Sequence, residues 1–426
     1  MTDTIFAPIT GRGGAVTVLR LSGPAALGIT AAVCARLPPP RRASLRALRG
    51  ADGALLDNAL VTIFPAPGSF TGEDCVELAL HGGRAVLAAA SAALITAGAR
   101  PAEPGEFSRR AFFNGRLDLL QAEAIADLIA AETEAQRRLA LHGADALHEA
   151  CVDWRERLRL IMARQEALID FPDEDLPPEV EQNLLAGIEA LRTEIVAAIA
   201  AAPAAQRLRE GLEFVILGPP NAGKSTLLNA LAGADIAIVS EIPGTTRDAI
   251  GVKLDLGGIP VHLMDTAGLR DTADVIEAEG VKRAYAKADE ADFIIAVAAA
   301  PKPVFPATPA GVEVMRLVTK ADLGGEITGD AISVKTGAGM DALLGYLTEA
   351  AGRLTDTAGA AALARPRQIA CARQTADALE AALATAEPEL RGEELRAAAN
   401  ALGRLTGVIG VEEILDAVFG SFCIGK

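Results

Sequence analysis

The segment Gly218-Pro-Pro-Asn-Ala-Gly223-Lys224-Ser225 constrains this chain more than any other stretch. A short apolar run, 214–217, leads directly into it, and Leu227, Leu228 and Leu231 recur after it at helical spacing. Strand, glycine-rich loop and helix in that order make a phosphate cradle. Glycines let backbone N–H groups wrap the α- and β-phosphates, and the positive end of the helix faces them. Lys224 reaches the β/γ oxygens, and the Ser225 hydroxyl can ligate Mg²⁺. A glycine-rich surface turn would need neither flank, so Asn221, Ala222, Gly223, Lys224, Ser225 and Thr226 read as a nucleotide-binding element.

Downstream motifs choose the nucleotide. Residues 261–264, entered just after Pro260, read as a second buried strand that delivers Asp265, Thr266, Ala267 and Gly268 at its end. A metal-facing carboxylate and a γ-phosphate-sensing glycine are needed there. Residues 312–318 read as a third strand, ending in Thr319, Lys320, Ala321 and Asp322, with Ser333, Val334 and Lys335 beyond it. The Lys-x-Asp pair suits guanine, because a carboxylate accepts from the base N1–H and exocyclic amine. In this order the motifs resemble a Ras-type GTP-binding domain. The stretch Ser240, Glu241, Ile242, Pro243, Gly244, Thr245, Thr246 then resembles its switch, with Thr246 as a Mg²⁺ ligand.

At 426 residues the chain is too long for one core and predicts about three domains. Its 50% apolar content with one Trp and two Tyr is driven by Ala, Leu and Val, which favours long helices. A net charge of −16 argues against holding nucleic acid by bulk charge, so an RNA partner needs a local basic patch or a second subunit. Five widely spaced cysteines without a C-x-x-C pair predict a reduced, cytoplasmic protein with no structural zinc. The start of the chain has no basic leader, and the apolar stretch 85–99 is too short and too rich in Ala and Ser to span a bilayer.

Residues 1–113 alternate strand-like runs (15–21, 59–64, 75–80) with helical ones (25–37, 85–97), which predicts a small α+β domain. Gly11-Arg-Gly-Gly14 lacks a Walker lysine and reads as a turn, and His81 reads as a hydrogen-bonded loop residue. From 114 the pattern turns helical, with Leu119, Ala122, Ile125, Ala126 and Ile129 on one face, Leu158, Ile161, Leu168 and Ile169 later, and a helix over 179–201. Helical periodicity returns over 365–386 and 390–405. The expected architecture is therefore a multidomain α/β chain: an α+β domain (1–113) and a helical bundle (114–210 and 356–426) into which a Ras-like GTPase domain (211–355) is inserted.

Several further motifs carry a closer resemblance. Phe70-Thr-Gly-Glu-Asp74, Pro104-Gly-Glu-Phe-Ser108 with Arg110-Ala-Phe112, Leu117 through Asp127, the GTPase insert and the terminal Phe422-Cys-Ile-Gly-Lys426 together resemble the bacterial MnmE (TrmE) family of tRNA-modification GTPases. The resemblance implies a homodimer working with the flavoprotein MnmG (GidA) on C5 of the wobble uridine of certain tRNAs. A reduced folate such as 5-formyltetrahydrofolate is the implied one-carbon donor. It also implies potassium ligands at the Asn221 side chain and the carbonyls of Ser240, Ile242 and Thr245, and Mg²⁺ on Ser225 and Thr246. Folate positions fall on Arg20, Glu77, Arg116 and Lys426, and water positioning falls on Glu277.

Two departures stand out. Arg116 stands where many relatives carry Lys, and Thr319 where the pattern has Asn, which predicts a base loop less firmly tied to the phosphate loop. Cys423 has two readings: a small apolar residue beside Phe419 and Phe422, or a thiol activated by Lys426 that serves the modification chemistry. The other function class open to this core is a ribosome-assembly or translational GTPase, which would need neither the folate positions nor the cysteine tail.

Overall fold

The computed structural model describes residues 3–11, 13–170, 178–238, 251–265, 285–325, 329–356, 363–407, 415, 418–420, 422 and 425. The chain divides into two compact units, Met1–Ala126 with Asn400–Lys426, and Asp127–Ala399.

The first unit is built on a six-stranded sheet of β1 (Ile5–Pro8), β2 (Val16–Ser22), β3 (Ser44–Arg49), β4 (Leu55–Phe64), β5 (Cys75–His81) and β6 (Arg100–Pro101), in the order β3-β4-β5-β2-β1-β6. All neighbours are antiparallel except β1 and β6. Helices α1 (Ala26–Cys34) and α2 (Arg84–Thr96) share a core with it. Alternation decides what they cover: Leu19 and Leu21 of β2 and Val76, Leu78 and Leu80 of β5 join that core, while Arg20 and Glu77, directly opposite one another in register, face the other way. Strands β1 and β3 lacked a clear alternating signal in the sequence. His81 ends β5 rather than sitting in a loop, and its Nδ1 lies 2.7 Å from Asp57 Oδ1.

Helix α3 (Glu106–Phe113) begins at Gly105, whose φ of 68° suits glycine. Its Arg110 side chain is fully buried, yet its guanidinium meets Asp3, Glu73 and Glu106 at 2.9, 3.2 and 3.0 Å. Burial pushes the Glu106 carboxyl up, but hydrogen bonds from Arg100, the Glu103 N–H and Arg110 outweigh it and hold the group below its ordinary range. The end of the chain returns to this unit. Phe419 and Phe422 pack with Phe112, Leu119, Ala122 and Leu415, the backbone of Phe419 lies against Gly105, and Gly425 lies against the Pro8 carbonyl.

The second unit joins helices to another sheet. Among the helices are α4 (Leu119–Ala130), which enters from the first unit, α5 (Glu134–Arg138), α6 (Ala144–Asp170) and α7 (Pro178–Glu210). α7 continues past Pro203, where the sequence predicted a stop, because Ala198, Ala202 and Ala205 carry its buried face onward and packing outweighs the lost N–H. Gly211, at φ 93°, then turns the chain directly into β7 (Leu212–Leu217). Asp292 fixes that junction by accepting from Arg207 Nε at 2.7 Å and from the Glu213 N–H at 3.0 Å.

After β7 come α8 (Lys224–Ala232), β8 (Gly251–Leu256), β9 (Ile259–Asp265), β10 (Phe293–Ala299), β11 (Glu313–Thr319), β12 (Asp330–Ala331) and α9 (Met340–Leu354). The sheet order is β12-β11-β10-β7-β9-β8, parallel except for the edge strand β8. Strands β7 and β10 are buried on both faces, which is why they read as continuous apolar runs. Helices α10 (Pro366–Ala384) and α11 (Pro388–Thr406) complete the bundle, where Trp154 Nε1 donates to Glu194 at 2.8 Å and Gln165 Nε2 to the Pro388 carbonyl at 2.8 Å. The GTPase-type module is thus inserted between α7 and α10. Cys34, Cys75, Cys151 and Cys371 are buried. Among the described residues no helix is long and apolar enough to cross a membrane.

Candidate functional site

The phosphate loop leaves the carboxyl end of β7, with β9 on one side and β10 on the other, at the point where the strand order reverses. A Cβ on Gly218 would stand 2.5 Å from the Val297 carbonyl oxygen and 2.6 Å from Val297 Cγ2, so only glycine can leave β7 this close to β10. Asn221 (φ 61°) and Gly223 (φ 87°) both take the left-handed conformation, and Gly223 caps α8. The first-turn N–H groups of α8 are thereby arranged as such a helix start binds an anion. Lys224 is buried beneath the loop, its Nζ donating to the carbonyls of Gly218 and Pro219 at 2.9 and 3.0 Å. Ser225 and Thr226 are exposed in the first turn.

Register brings a hydroxyl and a carboxylate together. Ile216 of β7 pairs with Asp265 of β9, and the Ser225 hydroxyl donates to Asp265 Oδ2 at 2.5 Å. A hydroxyl and a carboxylate converging at the mouth of the sheet are the hard oxygen donors that Mg²⁺ takes, so the residues fit the ion. Asp265 itself is almost fully buried.

The base side differs from the expectation of a loosened loop. Thr319 ends β11 with its side chain buried, and Oγ1 lies 2.5 Å from the Ala222 carbonyl and 3.2 Å from that of Ala298. A hydroxyl has one proton to give, and the shorter contact assigns it to the phosphate loop. Lys320, left-handed at φ 56°, adds a second tie from Nζ to the Asn221 carbonyl at 2.9 Å. The Ala321 N–H donates to the Ile332 carbonyl at 3.0 Å, and Ser333 Oγ donates to Asp322 Oδ1 at 2.8 Å, leaving the exposed Asp322 carboxylate oriented at the mouth. Val334 is half-buried and Lys335 exposed beyond it.

The sequence reading missed β10, and with it Val297 and Ala298, because three alanines interrupt the β-branched signal of Ile294, Ile295 and Val297. Ser240, Glu241, Ile242, Pro243, Gly244, Thr245, Thr246, Thr266, Ala267, Gly268, Glu277, Cys423 and Lys426 lie outside the described residues.

A second cluster lies on the face of the first unit's sheet opposite α1 and α2. Arg20 donates through Nε and Nη2 to Glu77 Oε1 at 3.1 and 2.8 Å, and its guanidinium lies 5.0 Å from the Phe70 ring centre and 5.8 Å from that of Phe107. Glu77 Oε2 has no partner among the described residues. The stem of Arg116 packs beside Gly72, two residues from Phe70. A carboxylate edge next to aromatic faces and a guanidinium fits a flat ring that donates paired N–H groups, as a pterin does.

Residues 4–116 match the family description GTP-binding protein TrmE N-terminus, and residues 119–423 match MnmE helical domain. The tRNA modification GTPase MnmE of Acidiphilium cryptum is 60% identical over 427 residues, covering 100% of this chain and 99% of that protein. The protein of the same name from Gluconacetobacter diazotrophicus is 55% identical over 431 residues, covering 99% and 98%. Among solved structures, the G domain of the T. maritima FeoB iron transporter is similar at 22% identity, covering 34% of this chain and 99% of that one, with a TM-score of 0.24.

The Thr319 contact has a measurable consequence. Thr319→Val keeps the shape and removes the donor, and losing one such bond costs about 1 kcal/mol, so GDP release should accelerate about fivefold. Thr319→Ser should release GDP at the original rate. Stopped-flow displacement of a fluorescent GDP reads both, and an unchanged rate in Thr319→Val would show that the hydroxyl does not hold the loops together.

Proposed function

The chain belongs to the MnmE family of tRNA modification GTPases, and from that premise we propose that it hydrolyses GTP to drive modification of C5 of the wobble uridine of certain tRNAs. It acts with the flavoprotein MnmG (GidA) and as a homodimer, adding an aminomethyl or carboxymethylaminomethyl group with a folate one-carbon unit. The convergence of Ser225, Asp265, Thr319 and Asp322 around one phosphate loop, in a chain 60% identical to a relative over its full length, carries this reading. A ribosome-assembly switch would have no use for the Arg20–Glu77 cluster or for the cysteine tail.

In this reading Asp322 accepts from guanine, the α8 amides and Lys224 bind the phosphates, and Ser225, with Thr246, holds Mg²⁺, which when bound neutralises charge on the β- and γ-phosphates. Leu269 follows Gly268 where Ras-type enzymes place a glutamine, so water placement passes to Glu277. The Asn221 side chain and the carbonyls of Ser240, Ile242 and Thr245 hold potassium, which supplies positive charge where an arginine finger would act. Turnover should therefore be faster in potassium than in sodium and should collapse in Glu277→Ala. Equal rates in the two salts, or a fully active Glu277→Ala, would refute the assignment.

Glu77, with Arg20, Arg116 and Lys426, binds the reduced folate. Supporting this are Glu77 Oε2, which has no partner among the described residues, and the approach of Gly425, the residue before Lys426, to Pro8 of the same unit. Calorimetry with 5-formyltetrahydrofolate should show saturable binding that Glu77→Ala abolishes. No heat with the intact protein, or an unchanged affinity in the variant, would remove the folate from the proposal.

Cys423 serves the modification rather than the hydrolysis, being remote in sequence from the GTPase motifs and directly after Phe422, which packs within the first unit. In a strain lacking this protein, the natural chain should restore the modified nucleoside by mass spectrometry of tRNA digests. Cys423→Ser should keep potassium-stimulated hydrolysis and fail to restore it. Full restoration by the serine variant would make Cys423 a packing residue, and failure of the natural chain would overturn the function itself.

A further inference from the structure

Residues 4–51 hold seven arginines and no lysine, aspartate or glutamate, in a chain whose net charge is −16. Five of them, Arg36, Arg41, Arg42, Arg46 and Arg49, fall between the end of α1 and the end of β3, the edge strand of the first sheet. All but the half-buried Arg46 are exposed. None of the five forms an ion pair among the described residues, whereas Arg20, Arg100, Arg110, Arg157 and Arg365 all do. Where their guanidinium groups are held, backbone carbonyls hold them: Arg41 Nη2 donates to Gly68 at 2.5 Å, Arg46 Nε to Arg36 at 3.0 Å, and Arg49 Nη1 to Gly53 at 2.9 Å. A carbonyl fixes the direction of a guanidinium without cancelling its charge.

The acids on the neighbouring strand and turns form no ion pair with these arginines among the described residues. Asp57 accepts from His81, Asp52 from the Ala54 N–H and Asp74 from the Ala66 N–H. Arginines leave their other N–H groups in a fork that matches phosphate oxygens, and exclusive use of Arg over Lys suits that geometry. A polyanion approaching a chain this acidic is repelled over most of its surface and admitted where the sign reverses, which sets orientation as well as contact.

We propose that this arginine face, from the end of α1 through β3, is where the phosphate backbone of the RNA substrate docks. The inference rests on the reading that the chain acts on tRNA, and it assigns RNA contact to the first unit rather than to the GTPase module. Only backbone phosphates are engaged, so the face contributes affinity and register and no sequence preference.

The test uses the full-length protein with its flavoprotein partner and unmodified tRNA. Replacing the five arginines by Gln should weaken tRNA binding about 10- to 100-fold in 50 mM salt. It should also flatten the slope of log affinity against log salt by about 2 to 4, since each phosphate contact contributes about 0.7 to 0.9. GTP hydrolysis should stay unchanged, and the same five positions as Lys should recover most of the binding. A photo-crosslinker on Leu45→Cys, whose native residue is 65% exposed at the centre of the face, should label RNA even if the Gln variant folds poorly. Unchanged affinity and slope in the Gln variant, or a variant that keeps tRNA and loses the flavoprotein, would overturn the proposal while leaving the tRNA reading intact. Failure of the unaltered complex to bind tRNA at all would overturn both.

Discussion

The contact between Gly218 and Val297 organises the nucleotide side of this molecule. Two parallel strands, each buried on both faces, end side by side, and the chain leaves one of them with no room for a side chain. That crowding aims the phosphate loop across the ends of the sheet, where β9 supplies Asp265 and β11 supplies Thr319. The apolar cores on the two faces of the sheet fix the strands, so the polar groups at their ends arrive in register without having to hold the structure together. Binding groups placed on strand ends are positioned by packing that costs them no freedom of function.

Around that centre, linkage is by few and specific bonds. Asp292 ties the end of α7 to the start of β7, and Asp127 meets Arg365 at 2.7 Å close to where the helical chain resumes. The inserted module is therefore bracketed by charged contacts and a left-handed glycine, beside a small apolar cluster of Ala205, Ala364 and Leu139. At α5, Thr133 and Gln136 form a capping box, the Ala135 N–H donates to the Gly258 carbonyl at 3.0 Å, and Lys253 pairs with Glu132 at 2.7 Å. The hairpin of β8 and β9, which carries Asp265 at the far end of β9, is thus also hydrogen-bonded to the helices at its turn.

In the first unit the governing constraint is electrostatic. Arg110 has no exposed surface, and removing a carboxylate from around it would leave a buried charge short of partners, a loss of about 3 to 5 kcal/mol. The network of Asp3, Glu73, Arg100, Glu106 and Arg110 fastens the start of the chain to α3. The aromatic packing of Phe419 and Phe422 on Phe112 then fastens the other end of the chain to the same helix region. Opposite ends of the sequence meet there.

The local sequence was enough to mark the strand, glycine-rich loop and helix around residues 218–225, the insertion of one module into a helical bundle and the strands with clear alternation, because these depend on spacing and on residue chemistry over a few turns. Tertiary structure alone decided the rest. β10 is held as a strand by its neighbours despite an alanine content that suits a helix, and α7 passes through Pro203 because its buried face continues. Whether Thr319 could stand in for asparagine depended on the distance to a carbonyl 97 residues away, and the pairing of Arg20 with Glu77 on the register of two strands 57 residues apart. Likewise, the sequence contains the arginines of residues 36–49, but only the fold leaves them without an ion pair among the described residues. Local pattern fixes what a segment prefers, while contacts between distant segments fix which preferences are overridden and which charges remain available.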